Sequence, residues 1–223
     1  MNDLQIHIDV SPELYLKNPD SSGLGRRIVS GSIELINELG FENFTFKKLG
    51  EQIGSPESSI YRYFESKHNL LVYLTNWYWS WMEYRLVFAT ANVASPRQRL
   101  KEAIKILTKP LTIDNHFAYI DEVLLDKIII CESVKAYHTK EVDDENEKGY
   151  FKSYMRIVQR IGNIILELNP EFAYPHMLTS TIIEGAHQQR YFAEHLPFLT
   201  DSGSKEASIS DFYIHMAFKT VEK

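Results

Sequence analysis

One cysteine, Cys131, occurs in 223 residues. An internal disulfide is therefore excluded, and so are paired-cysteine redox and zinc motifs. Glycine (10) and proline (8) are scarce and no low-complexity tract occurs, which excludes a collagen-like or broadly disordered chain. No apolar run approaches the ~20 residues that cross a bilayer as a helix. No basic, apolar, small-residue segment opens the sequence. With the lone cysteine, that points to a reducing cytoplasm. Positive charge is also short: 24 Lys+Arg against 30 Asp+Glu give −6. That total counts against a general polyanion binder, whose affinity comes from neutralised phosphates. The distribution softens it. Residues 21–72 hold Arg26, Arg27, Lys47, Lys48, Arg62 and Lys67 against six glutamates, so the deficit lies elsewhere.

What is present is periodic. Leu4, Ile6, Ile8 and Val10 alternate with Gln5, His7 and Asp9, and Pro12 and Pro19 follow. Residues 1–20 read as an arm, either with one short strand or as a partly disordered tail. From Ser22 the spacing becomes helical. Ile28, Ser32, Leu35, Ile36 and Leu39 repeat at three and four until Gly40. Thr45 caps a short helix over Phe46, Leu49 and Ile53, ended by Gly54. Ser55-Pro56 has the order of an N-cap followed by an N1 proline and predicts a helix to about Tyr63. Ser66 caps a long helix with Leu70, Leu74, Trp77, Trp81, Tyr84 and Phe88 on one side and Val72, Trp79, Met82 and Leu86 on another.

Similar stripes follow. They run through Leu100–Leu111, Phe117–Cys131, Phe151–Leu168, 175–195 and Ile209–Thr220. The prediction is an all-α fold of about nine helices. The divisions are an arm (1–20), a three-helix domain (21–67) and a larger helical body (68–223). The acidic stretch Glu141–Glu147 reads as a solvated loop; it lacks the spacing and turn glycine of a calcium loop.

A tight Gly54-Ser55 turn joining two short helices is the helix-turn-helix plan, in which the later helix enters the DNA major groove. In the helix from 56 to 63, Ile60 and Phe64 lie four apart and face inward, against Leu49 and Ile53. Glu57, Ser58 and Ser59 stand at the leading end, and Tyr61, Arg62 and Tyr63 project elsewhere. Hydroxyls, a guanidinium and a helix N-terminus suit phosphates and base edges. Three-helix clusters that bind no DNA are equally compatible with the spacing.

The run Thr45-Phe-Lys-Lys-Leu49-Gly-Glu-Gln-Ile53-Gly54, followed by Ile60-Tyr61-Arg-Tyr63-Phe64-Glu-Ser66-Lys67-His-Asn-Leu70, resembles the DNA-binding motif of TetR-type transcriptional regulators. The likeness is ungapped from Thr45 to Leu70 and covers residues 22 to about 72. It implies that Thr45, Tyr61, Tyr63 and Lys67 hold backbone phosphates, with Lys47 and Lys48 as further contacts. It also implies that Pro56, Glu57, Ser58, Ser59 and Arg62 face bases. Three positions depart from the family pattern: Gly50 in place of alanine, Ser55 in place of an apolar residue, and Pro56 in place of a capping Ser or Thr.

The resemblance further implies a C-terminal body that binds a small effector and a homodimer built by the last two helices. Leu178, Ile182, Gly185 and Phe192 on one side of helix 175–195, with Phe212 and Met216, are the candidate interface. Gly185 is expected to admit a partner helix. Pocket candidates are polar or aromatic residues on otherwise apolar helices: Trp81, Tyr84, Phe88, His116, Phe117, Tyr119, Tyr154 and Met155. Glu184, His187 and Tyr191 join them, three residues that share one helical side. A buried polar network or a dimer contact suits those three equally.

The function read from the sequence is an effector-responsive homodimeric regulator on a pseudo-palindromic duplex operator, with repression the family expectation. Neither a membrane nor a cofactor is expected. Two rivals remain. One is a helical interaction protein that keeps the helix-turn-helix as core. The other is a ferritin-like metal enzyme, for which Glu184-Gly-Ala-His187 has a suitable Glu-x-x-His spacing. The only other such spacing, Glu65-Ser-Lys-His68, falls inside the helix-turn-helix motif. No catalytic or phosphate-loop motif is present.

Overall fold

Side-chain caps set where the helices begin. In the computed structural model, which describes residues 8, 10–111, 119–202 and 207–222, Ser22 Oγ accepts the Gly25 N–H at 3.0 Å and Thr45 Oγ1 accepts that of Lys48 at 3.2 Å. Ser66, Ser95 and Asp121 do the same for Asn69, Gln98 and Leu124. Each satisfies a donor that the first helical turn leaves unpaired. Among the described residues eleven α-helices result. They are α1 (Gly23–Asn43), α2 (Phe46–Ile53), α3 (Glu57–Ile60), α4 (Lys67–Thr90), α5 (Pro96–Thr108), α6 (Glu122–Glu132), α7 (Val134–Tyr137), α8 (Val142–Glu147), α9 (Lys152–Leu168), α10 (Pro175–His195) and α11 (Ala207–Val221). The described residues contain no strand, and the fold is all-α.

The chain divides into two compact units. One is Met1–Ser80 with Leu111–Lys152; the other is Trp81–Pro110 with Ser153–Lys223.

In the first unit α1 packs on α2 and α6. Ile28, Ile36, Leu49, Ile60 and Phe64 are buried together in the three-helix core. Gly40, at φ 73°, breaks the path of α1 where the sequence places its end. Glu132, the last residue of α6, accepts the Phe41 N–H at 3.0 Å just beyond that break. Lys135 then bridges Glu42 (2.9 Å) and Glu132 (2.7 Å). Further along, Tyr78 donates to Asp126 and Trp79 Nε1 donates to the Tyr137 hydroxyl, each at 2.8 Å.

Two expectations change here. Leu4 and Ile6 of the alternating stretch lie outside the described residues. The described part of the arm forms two 3-10 turns, Pro12–Leu14 and Pro19–Ser21, laid against the unit. Leu14 is buried, and Tyr15 meets Tyr73 edge-on at 6.1 Å. The acidic stretch is also not a solvated loop. Val142–Glu147 is helical, because Glu145 is buried with its carboxylate 2.7 Å from His68 Nε2.

In the second unit α11 packs on α5 and α10. Thr108 and Ser210 share a buried hydroxyl–hydroxyl bond of 2.7 Å. Glu83 receives Arg156 Nε at 2.7 Å on one carboxylate oxygen and Arg160 Nε at 2.8 Å on the other. Gly185 makes room for a neighbour within its own chain. A β-carbon there would lie 3.1 Å from Cζ of Tyr213 and closer still to its hydroxyl, so α11's own tyrosine occupies that space. Burial also pushes the Tyr213 phenol above its ordinary pKa.

Candidate nucleic-acid interface

The helix-turn-helix is built around a backbone approach that only glycine permits. Gly54 ends α2 in the left-handed region (φ 64°, ψ 42°), with its N–H on the Gly50 carbonyl. The Ser55 N–H takes the same carbonyl at 2.9 Å. The turn therefore folds back over α2, and a β-carbon on Gly50 would stand 2.6 Å from the Ser55 oxygen and 3.3 Å from the Glu57 nitrogen. The departure from alanine at position 50 follows from that closeness.

The same geometry corrects the predicted start of the recognition helix. Ser55 belongs to the α2 terminator, so it does not cap α3. Pro56 is the N-cap residue (φ −58°, ψ 141°), without a side-chain cap bond, and the helix spans Glu57–Ile60. It ends earlier than position 63. Turns carry the chain onward, with the Tyr63 and Phe64 N–H groups both on the Ile60 carbonyl.

On this frame the leading end of α3 faces outward. Pro56 and Ser58 are exposed, and Glu57 and Ser59 are half-buried. Tyr61 is 47% exposed, with its ring edge-on to Phe46 at 5.0 Å. Arg62 is exposed, its guanidinium 3.5 Å from Ser59 Oγ. Thr45, Lys47 and Lys48 are exposed on α2's first turn, Lys48 donating to the Asn43 carbonyl at 2.8 Å.

Tyr63 and Lys67 are placed differently. The sequence reading projects Tyr63 outward, but its ring is 2% exposed. The arm causes this: Leu16 N–H donates to the Tyr63 carbonyl at 2.8 Å, and the Lys17 ammonium lies 5.1 Å from the ring centroid. The hydroxyls of Tyr63 and Ser22 are 2.7 Å apart. That bond first, then Lys17 and Arg62, draws the Tyr63 phenol below its ordinary pKa against the opposing effect of burial. Lys67 Nζ donates to the carbonyls of Phe41 (3.0 Å), Glu42 (3.1 Å) and Phe44 (3.3 Å). It also lies 4.8 Å from the centroid of the Phe41 ring. Its ammonium closes the end of α1, where a cation complements the free carbonyls. Periodicity could not show either placement, because the partners lie 23 or more residues away.

The expected pocket residues that are described fall in both compact units. In the first unit Tyr119 donates to Asp20; His116 and Phe117 lie outside the described residues. In the second unit Trp81 is buried under the Arg85 guanidinium, 4.8 Å from its ring centroid. Tyr84 and Phe88 stack on each other at 6.3 Å and are exposed, as is Met155. Along α10 Glu184 is exposed and accepts from the Tyr154 hydroxyl at 2.7 Å, while His187 is buried. Tyr191 leans on His195 at 4.6 Å. Of the expected interface residues, Leu178 and Ile182 are buried within their own chain and Phe212 is exposed. Phe192 and Met216 are half-buried.

An open cleft of about 540 Å³ between α5 and α11 was not foreseen. It is lined by Arg97, Lys101, Asp211, His215, Phe218 and Glu222 among others. Among the described residues no group of three His, Cys, Asp or Glu side chains is disposed to hold a metal ion, and no helix is long and apolar enough to cross a membrane.

No curated protein matches the chain in sequence. Residues 28–74 match the family described as bacterial regulatory proteins, tetR family. The fold is similar to that of AibR in complex with isovaleryl coenzyme A and operator DNA: TM-score 0.57, 14% identity, over 86% of this chain and 97% of that one. It is similar to the transcriptional regulator FadR from Bacillus subtilis in complex with stearoyl-CoA: TM-score 0.59, 17% identity, over 86% and 96%. It is also similar to the superantigen PfiT: TM-score 0.59, 13% identity, over 92% and 98%. At such identities these likenesses concern the fold. The matched segment spans most of α1, the helix-turn-helix and the first turns of α4, and it is this part of the chain that is similar to the tetR family.

Proposed function

We propose that the chain acts as a homodimeric, effector-responsive repressor on a pseudo-palindromic operator. The observation that carries this reading is the outward leading end of α3, seated on a turn that Gly50 and Gly54 make possible. Pro56, Glu57, Ser58, Ser59 and Arg62 then meet base edges. Thr45, Lys47, Lys48 and Tyr61 meet phosphates on either side. Tyr63 and Lys67, engaged inside the chain, hold the frame that presents them.

Two copies are needed because half-sites a helical turn apart, roughly 34–36 Å, require two recognition helices at fixed separation. Support for a dimer comes from apolar side chains left exposed on the last two helices, Met177 on α10 and Phe212 on α11. A small molecule that favours another separation of the recognition helices would release DNA by population shift. Acyl-coenzyme A thioesters, bound by two regulators of similar fold, are a reasoned first panel.

Selection of bound duplexes from random DNA tests the reading. The expected result is a palindromic consensus whose half-site centres lie about one or more helical turns apart. No enrichment over input would sink it, and a single non-repeated site would remove the dimer.

A further inference from the structure

We infer that Lys17, on the N-terminal strap, is a DNA-phosphate contact that extends the recognition surface beyond the helix-turn-helix. This rests on the DNA-binding reading above. Lys17 and Tyr63 are 46 positions apart in sequence, yet the Leu16 N–H on the Tyr63 carbonyl brings the strap against the residue next to Arg62. The strap therefore lies against the segment that follows the recognition helix. Lys17 is exposed and covers the Tyr63 ring at 5.1 Å. A duplex backbone that runs from Arg62 past Tyr63 would meet this ammonium.

The strap is anchored on both sides of this lysine, so the cation is held in place. Before it, the Glu13 carbonyl accepts from the Tyr150 hydroxyl at 3.1 Å and Leu14 is buried. Immediately before it, Leu16 N–H is on the Tyr63 carbonyl at 2.8 Å. After it, Pro19 is buried, Asp20 accepts from Tyr119, and the Asp20 carbonyl receives the Arg26 guanidinium at 3.1 Å. Ordering such a segment costs backbone conformational entropy. That cost is met here during folding, so DNA binding does not bear it. The charge is useful because the first twenty residues otherwise carry only acids: Asp3, Asp9, Glu13 and Asp20.

The test is a salt titration of binding to the duplex selected by the wild type, for the full chain and for Lys17→Gln and Lys17→Arg. A phosphate contact contributes about 0.9 to the slope of log K against log salt. Loss of one lysine from each protomer of a dimer should lower that slope by about two, and Lys17→Arg should restore it. Melting of each variant is followed in parallel. An unchanged slope in Lys17→Gln, with or without weaker binding, overturns the inference and leaves the regulator reading standing. Failure of the wild type to bind any duplex overturns both. If Lys17→Gln is unfolded, Lys17→Met, which keeps the stem over Tyr63, takes its place with the same two outcomes.

Discussion

The Ser55 carbonyl oxygen stands 2.6 Å from the place a β-carbon on Gly50 would occupy. An exposed helix glycine usually gains about 1 kcal/mol when replaced by alanine. At Gly50 the sign should reverse. Overpacking against backbone costs about 1–3 kcal/mol, because the turn cannot move aside as a flexible side chain would. Gly50→Ala is expected to lower the melting temperature and weaken operator binding, since the leading end of α3 is displaced with Ser55 and Glu57. A variant that melts higher than wild type, with DNA binding intact, would show that the turn relaxes freely.

Lys67 separates a structural cation from a phosphate-binding one. Its ammonium donates to three carbonyls at the end of α1, and hydrogen bonds to a charged group contribute about 1.5–3 kcal/mol each at most. Partial exposure reduces this, so Lys67→Met is expected to destabilise the chain by about 1–3 kcal/mol in denaturant unfolding. Its salt slope for DNA binding should match the wild type. A slope lower by about two would instead place the ammonium on phosphates in the complex.

How far these features were legible differs by the range of the cause. Helix α10 could be read at Pro175–His195, because a proline in the first turn and an apolar stripe are local. Thr45, Ser66 and the Gly54 turn were legible for the same reason. The start of α3 was misplaced by a single long-lived choice: the Ser55 N–H serves α2's terminator, which a cap pattern alone does not show. Burial of Tyr63 was illegible because it depends on Leu16 and Lys17, more than forty residues upstream. Glu145 looked solvated for a like reason, its partner His68 lying 77 positions away. The pocket candidates rest on side-chain type along apolar helices, a local property that does not say which side chains share a cavity.

Gly185 and Tyr213 form a pair whose coupling can be measured. Gly185→Ala places a methyl 3.1 Å from the tyrosine Cζ, and the expected cost is about 1–3 kcal/mol. Tyr213→Phe removes the hydroxyl that comes nearest and should recover part of that loss in the double variant. Thermal melting of the four proteins gives the interaction energy as a double-mutant cycle. Additive effects would mean that α11 shifts away as a body and that the tyrosine does not set the spacing.

Glu83 joins two arginines that lie four apart on α9, one to each carboxylate oxygen. Isolated exposed ion pairs contribute little, about 0–1 kcal/mol, but the Glu83 side chain is only 12% exposed and is shared. Glu83→Gln keeps the shape and removes the charge, leaving Arg156 and Arg160 adjacent without their common anion. The expected loss is about 1–2 kcal/mol at low salt, a figure already reduced for the arginines' half exposure. It should shrink as added salt screens the unpaired cations and weakens the wild-type pair. Replacing either arginine alone should cost less than Glu83→Gln, since the carboxylate retains one partner. Equal losses at low and at molar salt would show that Glu83 contributes through packing, with its charge of little consequence.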